Sequence, residues 1–271
     1  MTKIGFIGYG SMGSMIIKGF LSSNVLKPHE IVISNRTKNK LIDIKKQYPQ
    51  IEITDDNHDL ANKCDKIFLF VSTSSVKEII KEIKNYLSNK SHIIYISAGL
   101  TTENVESLFQ GKITKVIPSL TSEVKEGVSL IYHNEKVTEN ESEFVNNLFN
   151  SISTAKIIEE NNFEVGTVLT SCSPAIIAKF FMEYARKCAE NSDISQKDAE
   201  EMVIKTLYGT AKLLHDKNMS FEEIISRVAT KGGITEEGIK IMDKNLPFLF
   251  GELLKTTLKK RGIIKEKLKE Q

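Results

Sequence analysis

The chain has no tryptophan, only five prolines and only three cysteines in 271 residues. It also lacks an excess of either charge: 37 lysines and arginines face 35 aspartates and glutamates, a formal net charge of +2. Near-neutrality gives no electrostatic case for a nucleic-acid partner or a membrane surface. No continuous apolar run approaches the about 20 residues that a membrane span needs. The apolar stretch at the N-terminus is short and leads straight into a folding motif, so no signal peptide is expected. Cys64, Cys172 and Cys188 share no CxxC or Cys/His spacing. That excludes a disulfide frame and a zinc site and suits reduced thiols in a cytoplasm. There is no internal repeat and no low-complexity segment. What remains is a soluble globular composition, 40% hydrophobic and 27% charged, long enough for two domains.

The first thirteen residues organise the rest. Ile4, Phe6 and Ile7 lead without a break into Gly8-x-Gly10-x-x-Gly13, and a helical pattern follows through Ile16, Ile17, Phe20 and Leu21. A strand, a glycine turn and a helix in that order open a dinucleotide-binding βαβ unit. Gly8 lets the chain turn sharply, Gly10 lets backbone approach a pyrophosphate, and Gly13 lets helix pack on strand. The helix N-terminus then faces the phosphates with free N–H groups and its positive dipole end.

The second strand, Glu30 to Ser34, ends in Ser34-Asn35-Arg36-Thr37. An NAD-binding unit places a carboxylate here for the ribose hydroxyls. An acid would repel a 2′-phosphate, whereas Arg36 can pair with it and Ser34 and Asn35 can donate hydrogen bonds. The expected cofactor is NADP(H) rather than NAD(H).

Further strands are predicted at 51–53, 66–71, 92–96, 113–117, 127–132 and 155–158, with a helix near 141–150. In an open α/β sheet the carboxyl ends of the strands line the ligand crevice. The turns at Ser72–Thr73, Ser97–Gly99 and Pro118–Ser119 are therefore expected beside the nicotinamide and substrate. Near residue 160 the strands stop. Helices are predicted over 163–169, from Pro174, from Ser195, near Ser220, after Thr235 and near Leu246. The fold class is an α/β N-terminal domain, residues 1–159, followed by an all-α C-terminal domain, residues 160–271. The last turns, rich in lysine from Lys255 to Lys269, read as a solvated tail.

In the helical half, Thr230-Lys231-Gly232-Gly233-Ile234-Thr235 looks like a binding loop. Paired glycines before a helix expose successive N–H groups and suit a carboxylate. Thr235 is a candidate N-cap whose hydroxyl can equally bond a substrate atom.

With these segments in order and spacing, the chain resembles the pyrroline-5-carboxylate reductase family over nearly its full length. The carrying residues are Gly5 to Met12, Ser34-Asn35-Arg36, Asp65 to Val71, Ile96-Ser97-Ala98-Gly99, Val116-Ile117-Pro118-Ser119 with Glu126-Gly127-Val128, Ser173-Pro174-Ala175 and Lys231 to Thr235. Several choices are similar to a divergent branch of low-GC Gram-positive bacteria associated with late competence. The resemblance implies a Rossmann domain, a helical dimerisation domain that interleaves in a homodimer, in some members rings of dimers, and NAD(P)H-dependent reduction of 1-pyrroline-5-carboxylate to proline. It implies that Gly8, Gly10, Ser11 and Met12 cradle the pyrophosphate and that Ser34 and Arg36 hold the 2′-phosphate. Asn57 touches the adenosine ribose, and Val71, Ser72, Ser97 and Ala98 lie along the nicotinamide half. Gly232, Gly233 and Thr235, with Lys231 and Ser119, grip the imino acid, and Thr235 hydrogen-bonds the ring nitrogen. Such a reaction needs positioning more than acid–base groups.

The departures cluster at the substrate end. Val71-Ser72-Thr73-Ser74 stands where the family has V-K-P-Q, Pro118-Ser119 where it has P-N, Ser171 to Ala175 where it has G-S-G-P-A, and Thr230-Lys231 where it has S-P. Two alternatives therefore stay open: reduction of another imino acid, and a dinucleotide-binding regulatory protein without turnover. A β-hydroxyacid dehydrogenase is disfavoured, because Lys179 is followed four residues on by Glu183 rather than Asn and lacks the preceding glycines.

Overall fold

The computed structural model describes residues 3–269. In chain order they form β1 (Lys3–Ile7), α1 (Ser11–Ser22), β2 (Ile31–Ser34), α2 (Ile42–Gln47), β3 (Glu52–Thr54), α3 (Asn57–Lys63), β4 (Cys64–Leu69), α4 (Thr73–Ile83), β5 (His92–Ile96), α5 (Thr102–Glu106), β6 (Lys112–Ile117), β7 (Gly127–His133), α6 (Glu139–Asn150), β8 (Ser153–Ile157), α7 (Phe163–Thr167), α8 (Ser173–Glu190), α9 (Gln196–Asp216), α10 (Phe221–Val228) and α11 (Ile234–Lys269). The strands make one sheet in the order β3-β2-β1-β4-β5-β6-β7-β8. It is parallel through β6, β7 runs antiparallel to β6, and β8 is parallel to β7. The reversal of direction in strand order between β1 and β4 puts a crevice at the carboxyl ends of these two strands.

The central strands are apolar on both sides because helices cover both faces. One core, with Phe6, Ile16, Ile17, Phe20 and Phe68, lies on the side of α1 and α6. The other, with Leu60, Ile67, Leu69, Val76, Ile80, Tyr95 and Val105, lies on the side of α3, α4 and α5. Burying aromatic rings in contact adds a packing term: the Phe6 and Phe68 rings stack at 4.9 Å and Phe20 meets Phe149 edge-on at 5.4 Å.

The chain divides into two compact units, Met1–Cys172 with Leu258–Gln271, and Ser173–Thr257. The sequence placed one break at 159/160. In the structure α7 and the π-helical turn after it, Val168–Cys172, stay with the sheet. The last turns of α11 also belong to that unit, which corrects the solvated-tail reading. Leu268 is 8% exposed within the α4-side core, and its carbonyl accepts from Lys77 Nζ at 2.5 Å. Lysine frequency hid Ile264 and Leu268, four residues apart on one helix face.

Two more expectations change. The helix forecast near Leu246 is part of α11, a single run of 36 residues with Pro247 inside it. Proline removes one intrahelical hydrogen bond there but does not end the helix. Pro174 likewise does not open a separate helix: α7, the π turn and α8 follow without a break. The stretch Glu160–Glu190 is then long and apolar enough to cross a membrane by length and composition alone, although only 11% of its apolar window is buried. The sequence reading missed that stretch by dividing it at the proline. In the second unit α8 and α9 pack together, yet Met182, Tyr184, Met202, Ile204 and Tyr208 stay exposed.

At the opposite end of the sheet from the crevice, His92 Nε2 and His133 Nδ1 share the Thr114 hydroxyl, each at 2.7 Å. Burial pushes the His92 pKa down from 6.5 to about 3, and burial lowers that of His133 as well. The unfolded chain therefore takes up a proton near pH 6.5 that the native state refuses. Stability contributed by neutral His92 is intact above pH 6.5 and is lost as pH falls towards 3. Between pH 7.5 and 5 the loss from His92 is about 2 kcal/mol. Urea denaturation at the two pH values should show it, and His92→Gln should flatten the dependence.

Candidate functional site

The crevice is built around the turn that follows β1. Gly8 has φ of +104°, and a Cβ there would lie 2.4 Å from the Phe70 carbonyl oxygen at the end of β4. Only glycine fits. A Cβ on Gly13 would lie 2.7 Å from the Gly8 carbonyl oxygen, so the first turn of α1 sits tightly on the strand. Gly10 differs: nothing lies within 4 Å of where its Cβ would be, and its φ of −81° suits any residue. The protein's own packing does not require glycine at this position. The space beside it is a cradle that a side chain would fill, which fits a pyrophosphate against the backbone. The start of α1 has no side-chain cap and no acid in its first turn. Its N–H groups and dipole are therefore left for an anion.

A pocket of about 260 Å³ opens there, lined by Tyr9, Gly10, Ser11, Ser14, Lys18, Lys40 and Asp43. Met12, also expected at the pyrophosphate, lies in the same first turn but packs partly buried against the α1-side core. Lys18 and Lys40 were not singled out from the sequence. A signal was available: Ser11, Ser14 and Lys18 fall at i, i+3 and i+7 on one helix face, and Lys40 follows Arg36 by four residues.

The end of β2 is joined to the glycine turn by side chains. Asn35 Oδ1 accepts the Tyr9 N–H at 2.9 Å, and Asn35 Nδ2 donates to the Thr37 carbonyl at 2.8 Å. Ser34 is buried and donates its hydroxyl to Asn57 Oδ1 at 2.6 Å. Asn57 Nδ2 in turn donates to Glu82 at 3.1 Å. Ser34 and Asn35 therefore shape the site more than they offer free donors. Arg36 is exposed and no described residue pairs with it. Lys38 beside it is paired with Asp55 at 2.5 Å. Arg36 thus stands beside the β2 end with no ion-pair partner among the described residues.

The ends of the next strands are rich in hydroxyls, most of them engaged with one another. Val71 is half-buried and packs on the α4-side core. Ser72 is the N-cap residue of α4, but its hydroxyl meets Ser74 and Ser75 Oγ at 3.0 and 2.9 Å instead of a helix N–H. Ser97 is buried; it donates to Thr73 Oγ1 at 3.1 Å and accepts from the Leu100 N–H at 3.0 Å. Ala98 is half-exposed beside a small cluster of Ile117, Leu130 and Phe163. Ser119 is buried too, bonded to Thr121 Oγ1 at 3.0 Å and donating to the Thr170 carbonyl at 3.2 Å. Ser171 donates to the Pro118 carbonyl at 2.5 Å. These two serines stitch the π turn to the end of β6, and π turns recur at functional sites.

The binding loop expected in the helical half lies in the second unit. Gly232 has φ of +75°, and its N–H donates to Glu236 Oε2 at 2.7 Å. The Gly233 N–H donates to the Thr230 carbonyl at 2.9 Å. Both glycine N–H groups are therefore engaged inside the loop, one of them with a carboxylate. Thr235 is the second residue of α11, not its N-cap, and is exposed, as is Lys231. Ile234 is 94% exposed. Lys179 pairs with Glu183 at 3.3 Å on an open helix face, as a surface lysine does.

Comparison with known proteins bears on the fold and the family. Residues 160–262 match the family model for pyrroline-5-carboxylate reductase dimerisation, and residues 3–99 match that for NADP oxidoreductase, coenzyme F420-dependent. Pyrroline-5-carboxylate reductase 3 of Bacillus subtilis is 38% identical over 272 residues, covering the whole of both chains. The chain belongs to the pyrroline-5-carboxylate reductase family. ComE operon protein 4 of the same organism is 30% identical over 94% of this chain and 93% of its own. A solved pyrroline-5-carboxylate reductase of Coxiella burnetii superposes with a TM-score of 0.88 at 25% identity, covering 97% of this chain and 98% of its own. The Rossmann-type sheet and helical C-terminal region are thus those of the family.

Gly8 and Gly10 of the turn should separate by experiment. Gly8→Ala forces a Cβ against backbone at positive φ and should destabilise the protein by about 2–4 kcal/mol. Gly10→Val should leave the melting temperature within a few degrees and abolish dinucleotide binding, measured by NADPH fluorescence titration.

Proposed function

We propose that the protein reduces a cyclic imino acid with NADPH, and that the substrate is 1-pyrroline-5-carboxylate and the product proline. The observation that carries the cofactor half is the glycine cradle at Gly10 beside an unpaired Arg36. Membership of the family, with full-length likeness to a Bacillus reductase, carries the substrate half. When bound, the reduced dinucleotide supplies a hydride. Every other requirement falls on the chain. The Gly10 to Met12 backbone and the α1 N-terminus hold the pyrophosphate. Arg36, with Lys40 and Lys18 behind it, balances the phosphates. The ends of β4 and β5 fix the nicotinamide half from below, with Val71, Ser72, Ser97 and Ala98.

Lys231 and the Gly232–Gly233 loop bind the substrate carboxylate. Glu236 now holds the Gly232 N–H with a carboxylate of its own, so the loop has the chemistry of a carboxylate site, and Glu236 must turn away for a substrate to enter. Thr235, exposed in the first turn of α11, donates its hydroxyl to the ring nitrogen. These roles are ones of orientation, as the reaction asks.

A homodimer through the helical unit accounts for the exposed apolar residues of α8 and α9 and for the long apolar run of 160–190. Covering that face with a second copy, in a cytoplasmic enzyme, needs no membrane; a ring of such dimers is a further possibility of the same surface.

Three measurements test the reading. NADPH oxidation should start on adding pyrroline-5-carboxylate; NADPH binding with no turnover on any cyclic imine would leave a dinucleotide-binding regulator instead. Arg36→Ala should weaken NADPH by about ten- to a hundred-fold, through loss of a charged hydrogen bond of roughly 1.5–3 kcal/mol, with little change for NADH. Glu236→Ala removes the internal competitor and should lower KM for the imino acid about three- to ten-fold, the worth of one hydrogen bond.

A further inference from the structure

The loop from β5 to α5, Ser97–Thr102, is fastened at each end and from outside. At its start the Ser97 hydroxyl accepts the N–H groups of Gly99 and Leu100 at 3.3 and 3.0 Å. At its finish the Thr102 N–H donates to Glu160 Oε1 at 2.7 Å. The same oxygen receives Lys115 Nζ at 3.0 Å. Lys115 projects from the middle of β6 with only 4% of its side chain exposed, and its ammonium lies 4.9 Å from the centre of the Phe163 ring. Burying such a pair is poor value as stability, because desolvation of two charges offsets most of their attraction. The pair also holds the loop backbone, through the Thr102 N–H.

The outside fastening is the end of α11. A Cβ on Gly99 would lie 2.9 Å from Leu268 Cδ1 and 3.4 Å from Ile264 Cγ2. The helix is tied down on both sides of that contact. Lys77 Nζ, on α4, donates to the Leu268 carbonyl. Lys265 pairs with Glu164, and Arg261 donates to the Phe163 carbonyl at 3.5 Å. Phe163 and Glu164 begin α7, three and four residues after Glu160. The two fastenings therefore meet around one segment and close on the same loop.

We propose that Glu160, seated by Lys115, and the last turns of α11 are positioning elements for the nicotinamide end of the dinucleotide: they fix the backbone of Ser97–Gly99, against which the nicotinamide half lies. The inference rests on the NADPH reading above and adds residues that touch neither cofactor nor substrate. It gives the C-terminal turns a role in the site, although they lie more than 160 residues further along the chain.

The test uses the full-length protein and two probes, NADPH and 2′,5′-ADP, which keeps the adenosine end and lacks the nicotinamide. Lys115→Met with Glu160→Ala removes the pair as a unit and leaves Thr102 N–H without its acceptor. Lys115→Met with Glu160→Gln restores an acceptor without the charge. Leu268→Ala loosens the loop from the other side. The first and third should bind NADPH about five- to ten-fold more weakly, as loss of one ordering contact predicts, and 2′,5′-ADP within two-fold of the parent. The Gln combination should recover NADPH affinity. Equal weakening of both probes, or NADPH affinity within two-fold of the parent in every variant that melts cooperatively, overturns the inference. If the Ala double variant does not fold, the ratio of the two probes in Leu268→Ala decides. A parent protein that binds neither probe overturns the cofactor reading and this inference together; a parent that binds both while Leu268→Ala changes neither ratio overturns the inference alone.

Discussion

The approach of Gly8 to the Phe70 carbonyl fixes the geometry of the whole cofactor half. At 2.4 Å from a would-be Cβ, the two backbones are as close as backbones come. That contact brings the end of β1 against the end of β4, the place where successive strands diverge to either side of the sheet. It also sets the start of α1, because Gly13 must then pass the Gly8 carbonyl. Asn35 adds the end of β2 by accepting the Tyr9 N–H. Three strand ends and one helix N-terminus thus converge through one turn, and the anion site follows from their convergence, with Lys18 and Lys40 in its lining. Gly10 is the exception that shows what the others are for. Gly8 and Gly13 answer to the protein's own packing, while Gly10 answers to open space.

Much of this was legible in the sequence, for physical reasons. A central parallel strand covered on both faces must be a continuous apolar run, so β1, β4, β5 and β6 stand out to within two residues of their observed bounds. Hydroxyl caps mark helix starts, and Ser195 and Ser220 do accept the N–H three residues on. The failures are equally physical. Thr235 looks like a cap, but α11 already begins at Ile234, two residues earlier than a threonine cap allows. Pro247 looks like a boundary, but a long helix loses only one hydrogen bond to it. The C-terminal lysines look solvated, but Lys265 pairs with Glu164, and the burial of Leu268 depends on a surface made by residues far earlier in the chain, which no local pattern reveals. Lys18 and Lys40 went unnoticed because charged residues on a helix face are usually bound to nothing.

The serines at the substrate end acquire a common meaning in three dimensions. Read singly, Ser119 and Ser171 are departures from the family pattern. Together they tie the π turn to the end of β6, through the Thr170 and Pro118 carbonyls. Each serine donates to a carbonyl across the join. Ser97 and Thr73 do the same between β5 and α4. The pocket end of the sheet has therefore been rebuilt as a set of mutually satisfied hydroxyls. A buried network of this kind is rigid when every member is paired, and rigidity is the quality that hydride transfer asks of its surroundings.

The same reasoning separates the dinucleotide crevice from the Gly232–Gly233 loop. Around the dinucleotide the fixed elements are backbone and buried pairs, and they are set before any ligand arrives. In the Gly232–Gly233 loop the side chains of Lys231 and Thr235 are exposed, and the Gly232 N–H is held by Glu236 from the same loop. An acid tethered four residues away is present at high effective concentration, so it holds the Gly232 N–H whenever no stronger anion competes. A substrate carboxylate gains only the difference between its own bond and the one it displaces. Lys231 tilts that exchange: its charge attracts either acid, but a free substrate also brings a ring nitrogen that Thr235 can meet, which Glu236 does not. On the proposed function, selectivity at this loop would then come from the second contact, the hydroxyl to nitrogen, rather than from the carboxylate that every amino or imino acid shares.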